Sequence, residues 1–348
     1  MRAVYYDSFL REPTVEEVPD PVPTPDGAVI AVEATGLCRS DIHAWEGHDD
    51  GVSLPHVPGH EFVGRIVSVG SAVSRFRPGQ RVTVPFVCAC GTCAECRAGH
   101  AQVCRNQTQP GFTHWGSYAE RVAITSADVN LIEVPESLDV GAAAILGCRF
   151  ATSYRALATQ AAVREGEWVI VVGCGGVGLS AVMIGAALGA RVVAVDISGA
   201  ALDVAEAAGA EHTVNSTALS DTEVIERVKE LTGDGAQVSL EAIGREHTTG
   251  IAIRSLARRG RHVQVGLFAQ PPRIPMADVI AGELTVMGSH GMSAAEYPGM
   301  LELVASGRLR PQDLVTRTIG LDEVPAAMLA MSQGQSPAGV TIIRPDAR

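Results

Sequence analysis

Trp168-Val-Ile-Val-Val172 runs straight into Gly173-Cys-Gly-Gly-Val-Gly178, and this junction decides the fold. The first five residues are β-branched or aromatic, an apolar run of strand length suited to a strand buried on both faces. The next six match G-x-G-x-x-G. Gly173 permits a tight turn, Gly175 lets backbone approach a pyrophosphate, and Gly176 and Val177 open a helix. Gly178 lets that helix pack close to the strand. The free N–H groups of such a helix start, with its partial positive charge, suit phosphate. Asp196 ends the next strand-like run, 18 residues after Gly178. An acid there takes ribose hydroxyls and repels a 2′-phosphate, which predicts NAD rather than NADP. The plainer alternative is a packing turn with a solvated Asp, and the order of strand, turn, helix and acid argues against it.

Residues 168–190 carry no charge, but six glycines (173, 175, 176, 178, 185, 189) interrupt them. A strand, a turn and a buried helix explain the stretch better than a membrane span. Downstream, strand-like segments at 191–195, 212–214, 238–241, 262–266 and 284–288 alternate with helical patterns. In one of these, over 221–231, Ser220 and Glu223 fit a capping box, and Val224, Ile225, Val228 and Leu231 share a face. Six strands alternating with helices predict an α/β fold with a doubly wound parallel sheet.

Upstream of about residue 142 the texture is different. Short β runs at 29–32, 62–69 and 81–84 are punctuated by glycine and proline, as in Pro78-Gly79, and predict a compact, mostly-β region. After residue 289, helices near 297–304 and 323–331 and a strand at 340–343 are too little to fold alone. The expected domains are 1–149 (mostly β), 150–288 (dinucleotide-binding) and 289–348, a return segment completing the first.

Two domains agree with 348 residues. The net charge of −12 argues against nucleic acid as a partner. Only one of the 27 basic residues, Lys229, is a lysine, and it lies in a charged helical pattern. Schiff-base chemistry and a Gly-Lys-Ser/Thr phosphate loop are therefore excluded. The N-terminus has no apolar run of signal-peptide length, so the cytoplasm is the expected location, with no membrane partner.

Eight cysteines in such a chain point to metal ligands or buried apolar positions rather than disulfides. Cys90-x2-Cys93-x2-Cys96-x7-Cys104 places four thiolates within 15 residues. Tetrahedral zinc takes such a set at ~2.3 Å, closed to substrate, and would organise a lobe whose other residues are too small or polar to form a core. An iron–sulfur cluster or free thiols are the competing assignments. Cys38, His60, Glu61 and Cys148 are dispersed, and spacing alone does not link them.

Taken together, Cys38-Arg-Ser-Asp-Ile-His43, Gly59-His-Glu61, the four-cysteine lobe, Gly147-Cys-Arg-Phe-Ala-Thr152 and the glycine turn resemble, in order, the zinc-dependent alcohol dehydrogenases of the medium-chain dehydrogenase/reductase family. The similarity runs from Val29 to Ile343. It implies a GroES-like catalytic domain beside a Rossmann domain, with a structural zinc in the cysteine lobe and a catalytic zinc on Cys38, His60 and Cys148. The cofactors implied are thus NAD and two Zn²⁺ per chain.

The reaction implied is reversible hydride transfer between an alcohol and NAD, giving an aldehyde or ketone. Polyol-oxidising relatives usually carry Glu near the position of Cys148, so Cys148 leans away from sugar alcohols. A polyol dehydrogenase is the runner-up, and a non-catalytic NAD(H)-binding protein is the alternative from another class. The resemblance further implies that Asp41 takes the second ring nitrogen of His60 and that Glu61 lies behind the metal as a transient ligand. Ser40 would accept the alcohol proton and pass it through the nicotinamide ribose to His43. Arg39 would pair with the pyrophosphate. Thr152 and Val177 would contact the nicotinamide, Val265, Gly266 and Leu267 would line its far side, and Phe86 and Trp115 would wall the substrate pocket. Short bacterial members are often tetramers, so a homotetramer is expected. The chain departs from the family where Ser198-Gly-Ala-Ala201 follows Asp196 without a cation. It departs again where Ser336-Pro-Ala-Gly-Val340 lacks the arginine common near the pyrophosphate.

Overall fold

The computed structural model describes residues 1–346, and the chain divides into two compact units. The second unit comprises Thr152–His290 and Ser306–Leu314. Its sheet has six parallel strands in the order His212–Asn215, Arg191–Asp196, Trp168–Val172, Ala236–Glu241, Leu256–Gln264, Thr285–Gly288. The chain enters in the middle, builds outward to one side, then returns to build the other. The order reverses beside Trp168–Val172, and ligands of doubly wound sheets bind at the carboxyl ends of strands at such a point. All five residues of Trp168–Val172 are buried, as its unbroken apolar run requires.

The helix Asp221–Thr232 carries the expected capping box, Ser220 with Glu223, and buries Val224 and Val228. The strand Leu256–Gln264 starts before the expected residue 262. Its pairing is irregular, passing from Leu256 to Arg261, and Arg259 takes φ +63°. That break hides the period-two pattern from the sequence.

The first unit holds Met1–Ala151, Gly291–Ala305 and Val315–Arg348. Its main sheet runs Val315–Gly320, Val340–Arg344, Ala28–Gly36, Phe62–Val69, Arg81–Thr83, Ile132–Glu133, with Arg121–Ile124 also paired to Ala28–Gly36. The return strand Val340–Arg344 pairs antiparallel with Ala28–Gly36. A separate hairpin pairs Arg2–Tyr5 with Thr14–Glu17.

The breaks after Ala151 and His290 lie two residues beyond those expected, and one segment departs from the expectation that all of 289–348 joins the first unit. Residues 306–314 group with the second. Leu309, Pro311 and Leu314 are buried there, and the Arg308 guanidinium donates to the Ala187 carbonyl at 2.6 Å, at the end of helix Gly176–Ala187. Among the described residues no helix is long and apolar enough to cross a membrane.

Candidate metal and cofactor sites

The central strand of the first unit delivers the first candidate ligand. Ala28–Gly36 ends two residues before Cys38, which caps the short helix Arg39–Trp45. Thr35 is in register with Phe62, so His60 and Glu61 arrive at the same end of the sheet. Cys148 comes from a π-helical turn, Leu146–Phe150, of the kind that often marks functional sites. One donor atom from each of Cys38, His60 and Cys148 lies within 4.8 Å of the others.

Protein contacts hold these side chains. His60 is buried, and its Nδ1 meets Asp41 Oδ1 at 2.8 Å, which leaves Nε2 to face outward from that pair. Nε2 is itself buried and, among the described residues, has no hydrogen-bond partner. An orphaned imidazole nitrogen beside two thiols is the donor set of a zinc site, with the carboxylate fixing the tautomer. A hydrogen bond from Cys148, with His60 close by, holds the Cys38 thiol well below its ordinary value. The Cys148 thiol is pushed up by the same contact and by burial. Burial works to lower the His60 value, but Asp41 prevails and raises it. Gly59 takes φ +104°, and a Cβ there would lie 2.5 Å from the Tyr118 ring, so only glycine brings His60 into place.

Glu61 is fully buried and committed to Arg149, which the sequence does not single out. Its Oε1 accepts Arg149 N at 2.8 Å, and its Oε2 accepts Nε at 2.7 Å and Nη2 at 2.6 Å. Arg149 also donates to the Leu37 carbonyl at 2.9 Å. Glu61 is absent from the converging group, so a ligand role would require it to leave this ion pair. The pair ties together the neighbours of all three candidate ligands.

Phe86 lies edge-on to His60, ring centroids 6.2 Å apart. Trp115 does not join it. Its indole N–H donates to the Pro55 carbonyl, and its ring packs on Tyr5 in a cluster with Met1, Val18, Val57 and Ala119. The second aromatic against His60 is Phe112, at 5.1 Å. Only tertiary packing distinguishes it from Trp115, three residues away. Ser40 Oγ is 3.8 Å from Cys38 Sγ. Arg39 Nε donates to His43 Nε2 at 3.2 Å, and its Nη1 donates to the Met331 carbonyl at 2.6 Å. Partial burial, then Arg39, lower the His43 value. An exposed histidine, His48, lies 6.0 Å from the His43 ring.

The four cysteines of the lobe also converge, with Sγ pairs at 3.3, 3.6 and 3.5 Å. Tetrahedral ligands at ~2.3 Å would sit about 3.8 Å apart. The Thr92 hydroxyl and amide point at Cys90 Sγ and bring its thiol down to about 5. Asn130 clamps the lobe's base, accepting from Ala89 N at 2.7 Å and donating to Ala89 O at 3.0 Å. Cys88 is outside the set, and burial pushes its thiol up to about 12.

In the second unit the glycine turn has the expected form. Gly173 takes φ +96°, and a Cβ on Gly178 would lie 1.7 Å from the Gly173 carbonyl. A Cβ on Gly175 would meet nothing within 4 Å, so the backbone there is open to a phosphate. Gly175 caps helix Gly176–Ala187, whose N-terminal residues include Val177. The Thr152 hydroxyl is buried without a partner among the described residues. Asp196 also anchors the turn, accepting Cys174 N at 2.6 Å and Ser198 N at 2.8 Å. Ser198 caps the next helix, which accounts for a small polar residue at the point where the sequence departs from the family pattern.

Val265 and Gly266 donate their amides to the Glu241 carbonyl, and the Leu267 side chain is exposed. The Glu241 carboxylate accepts Thr248 Oγ1 at 2.7 Å, Ile243 N at 3.0 Å and Gly244 N at 2.9 Å. This buried clamp of the loop ends has no local motif in the sequence.

Comparison with known proteins points to one family. Residues 24–136 match the alcohol dehydrogenase GroES-like domain, and residues 176–306 match the zinc-binding dehydrogenase domain. The chain is 34% identical to an alcohol dehydrogenase of Rhizobium meliloti over 89% of each chain. It is 30% identical to an NAD-dependent alcohol dehydrogenase of Sulfurisphaera tokodaii over 94% of this chain and 95% of that one. A sorbitol dehydrogenase of Halalkalibacterium halodurans is 32% identical over 92% and 93%. The solved alcohol dehydrogenase TADH of Thermus sp. ATN1 superposes with a TM-score of 0.89 at 31% identity, covering 99% of both chains. The chain belongs to the zinc-dependent medium-chain alcohol dehydrogenases. It is an oxidoreductase acting on CH–OH groups, with a GroES-like domain and a Rossmann-type parallel sheet.

Proposed function

We propose that this dehydrogenase interconverts small, largely apolar alcohols and their aldehydes or ketones, using NAD. The observation that carries the reading is the convergence of Cys38, His60 and Cys148. Three protein ligands of this kind leave a fourth coordination position for substrate, whereas the four-cysteine lobe is closed. Zinc supplies Lewis acidity to the substrate oxygen, and NAD supplies the hydride acceptor. The rest falls to the chain's own residues. Asp41 fixes the tautomer of His60. Ser40 accepts the alcohol proton as it gives up its own hydroxyl proton, and the relayed proton leaves to solvent through His43. His43 suits that task because Arg39 donates to its Nε2, which favours the neutral ring. The Asp196 carboxylate excludes a 2′-phosphate, and the open backbone at Gly175 admits the pyrophosphate.

Phe86 and Phe112 against His60 present carbon where a polyol would need hydrogen-bond partners, and this supports an apolar alcohol. Metal analysis should give two zinc ions per chain. Ethanol, hexanol, benzyl alcohol and sorbitol assayed with NAD⁺ and NADP⁺ should show an apolar alcohol with NAD⁺ fastest. Sorbitol as the best substrate would overturn the substrate class, and one zinc with no turnover would overturn the activity.

A homotetramer is proposed as the assembly. In the second unit, Met276, Ile280 and Val286 are exposed at the sheet-edge strand Thr285–Gly288 and the adjacent helix Met276–Gly282, an apolar edge that a second copy would cover. Sedimentation equilibrium tests this. The cytoplasm is the proposed location, where eight free thiols stay reduced.

A further inference from the structure

The ring of Tyr118 is fully buried among apolar side chains that include Val4, Leu37 and Ile42, where phenylalanine would pack as well. Its hydroxyl is nevertheless not idle. It donates to Asp41 Oδ2 at 2.6 Å, with the Gly36 carbonyl at 3.1 Å as a second, weaker acceptor. It also accepts the Cys38 amide at 3.3 Å. The charged, nearer acceptor takes the single proton. Asp41 is fully buried, and its other oxygen is occupied by His60 Nδ1 at 2.8 Å and Gly59 N at 3.0 Å. One hydroxyl therefore touches the carboxylate that aims His60 and the backbone that carries Cys38.

We propose that Tyr118 is a positioning residue for the catalytic metal, its hydroxyl fixing both Asp41 and the Cys38 backbone so that the site holds zinc tightly. Without the hydroxyl, Oδ2 of a buried carboxylate loses the one side-chain donor it has among the described residues. The carboxylate is then free to rotate, which loosens its grip on the His60 tautomer. Tyr118→Phe keeps the ring and removes only this link.

The inference rests on Cys38, His60 and Cys148 holding zinc, and the test separates the two claims. Zinc release from the full-length holoenzyme to a chromogenic chelator resolves two ions per chain, and Cys38→Ser identifies which phase is the catalytic one. Tyr118→Phe should speed that phase about tenfold, the low end for an outer-shell partner, and leave the lobe phase unchanged. The cobalt-substituted site should show a shifted d–d spectrum. In an Asp41→Asn background the same change should speed the catalytic phase by clearly less than in the wild type, because the link to the carboxylate is gone and only the link to the Cys38 amide is left to lose. Unchanged release in Tyr118→Phe, or an equal loss in both backgrounds, would overturn the joint role of the hydroxyl on Asp41 and Cys38. So would loss of both ions together, which would show that only the ring's packing matters. A wild-type chain binding a single zinc would instead remove the metal assignment beneath it.

Discussion

The four-cysteine lobe and the Cys38–His60–Cys148 cluster are both sets of metal donors, and they are built in opposite ways. The lobe takes all its ligands from residues 90–104, and its helix Ala94–Arg97 buries no side chain. Asn130 clamps its base and the Glu95–Arg105 ion pair spans it, while several of its remaining side-chain hydrogen bonds end on the cysteine sulfurs themselves. The second cluster gathers ligands across 38–148, and buried protein contacts fix each one: Asp41 on His60, Arg149 on Glu61 and Leu37, Tyr118 on Cys38. In the lobe the metal should make the structure, and in the other cluster the structure should make the metal site.

The sharpest break between the two is Cys38→Ser against Cys93→Ser. Cys38→Ser should cut kcat/KM by more than about a thousandfold, since it removes a ligand of the reacting centre, while the melting temperature hardly moves. A Cys38→Ser protein that fails to fold would show that this site, too, depends on its ion. Cys93→Ser should do the reverse. It should lose one zinc, open residues 88–106 to proteolysis and cost about 1–3 kcal/mol of stability, with much of the turnover kept.

Arg149 tests how far the second cluster is held by protein alone. Arg149→Met leaves Glu61 as a buried, unpaired charge, and removing one partner of such a pair costs about 3–5 kcal/mol. Denaturant unfolding of the zinc-free protein should show this loss undiminished. If it appears only with zinc bound, the metal rather than the ion pair organises these loops. Arg149→Met/Glu61→Gln, which removes both charges, should recover part of it.

The same contrast explains what the sequence made legible. The glycine turn and the lobe are local, so Gly173, Gly175, Gly178 and the four cysteines could be assigned from spacing, and the strand and turn geometry agrees. Cys38, His60 and Cys148 could be linked only through family resemblance, because strand register and a π-turn bring them together, and neither leaves a periodic trace. The partners of those ligands were less visible still. Arg149 stands next to Cys148 in plain view, but nothing local says that its guanidinium reaches Glu61, 88 residues back. Tyr118, Phe112 and Glu241 are ordinary members of apolar or loop segments until packing gives them a neighbour. Trp115 was expected at the pocket from the family resemblance, and packing against Tyr5 takes it elsewhere.

In the second unit the comparison extends to Asp196, which anchors the glycine turn and is proposed to meet the cofactor ribose. Asp196→Gly should narrow the preference for NAD over NADP by about tenfold, since one repulsive charge is removed. It should also loosen the glycine turn by freeing the amides of Cys174 and Ser198, seen as faster hydrogen exchange there. Unchanged discrimination with a loosened turn would leave Asp196 only its structural part.

The smallest expected effect concerns pH. Partial burial, then Arg39 and His48, lower the His43 value, against the opposing pull of Glu46 and Cys38. A histidine whose folded value is depressed stays neutral to lower pH than in the unfolded chain. Stability from this group is therefore complete above the ordinary histidine value and is lost as pH falls through it toward the folded value. For the reaction, His43 must be neutral to take a proton, so the acid limb of kcat/KM for alcohol oxidation should lie below ~6.5. His43→Gln should remove that limb, and Arg39→Gln should move it upward, because a neutral neighbour no longer opposes protonation. A limb that stays in place in His43→Gln would assign the titration to another group and leave His43 outside the proton path.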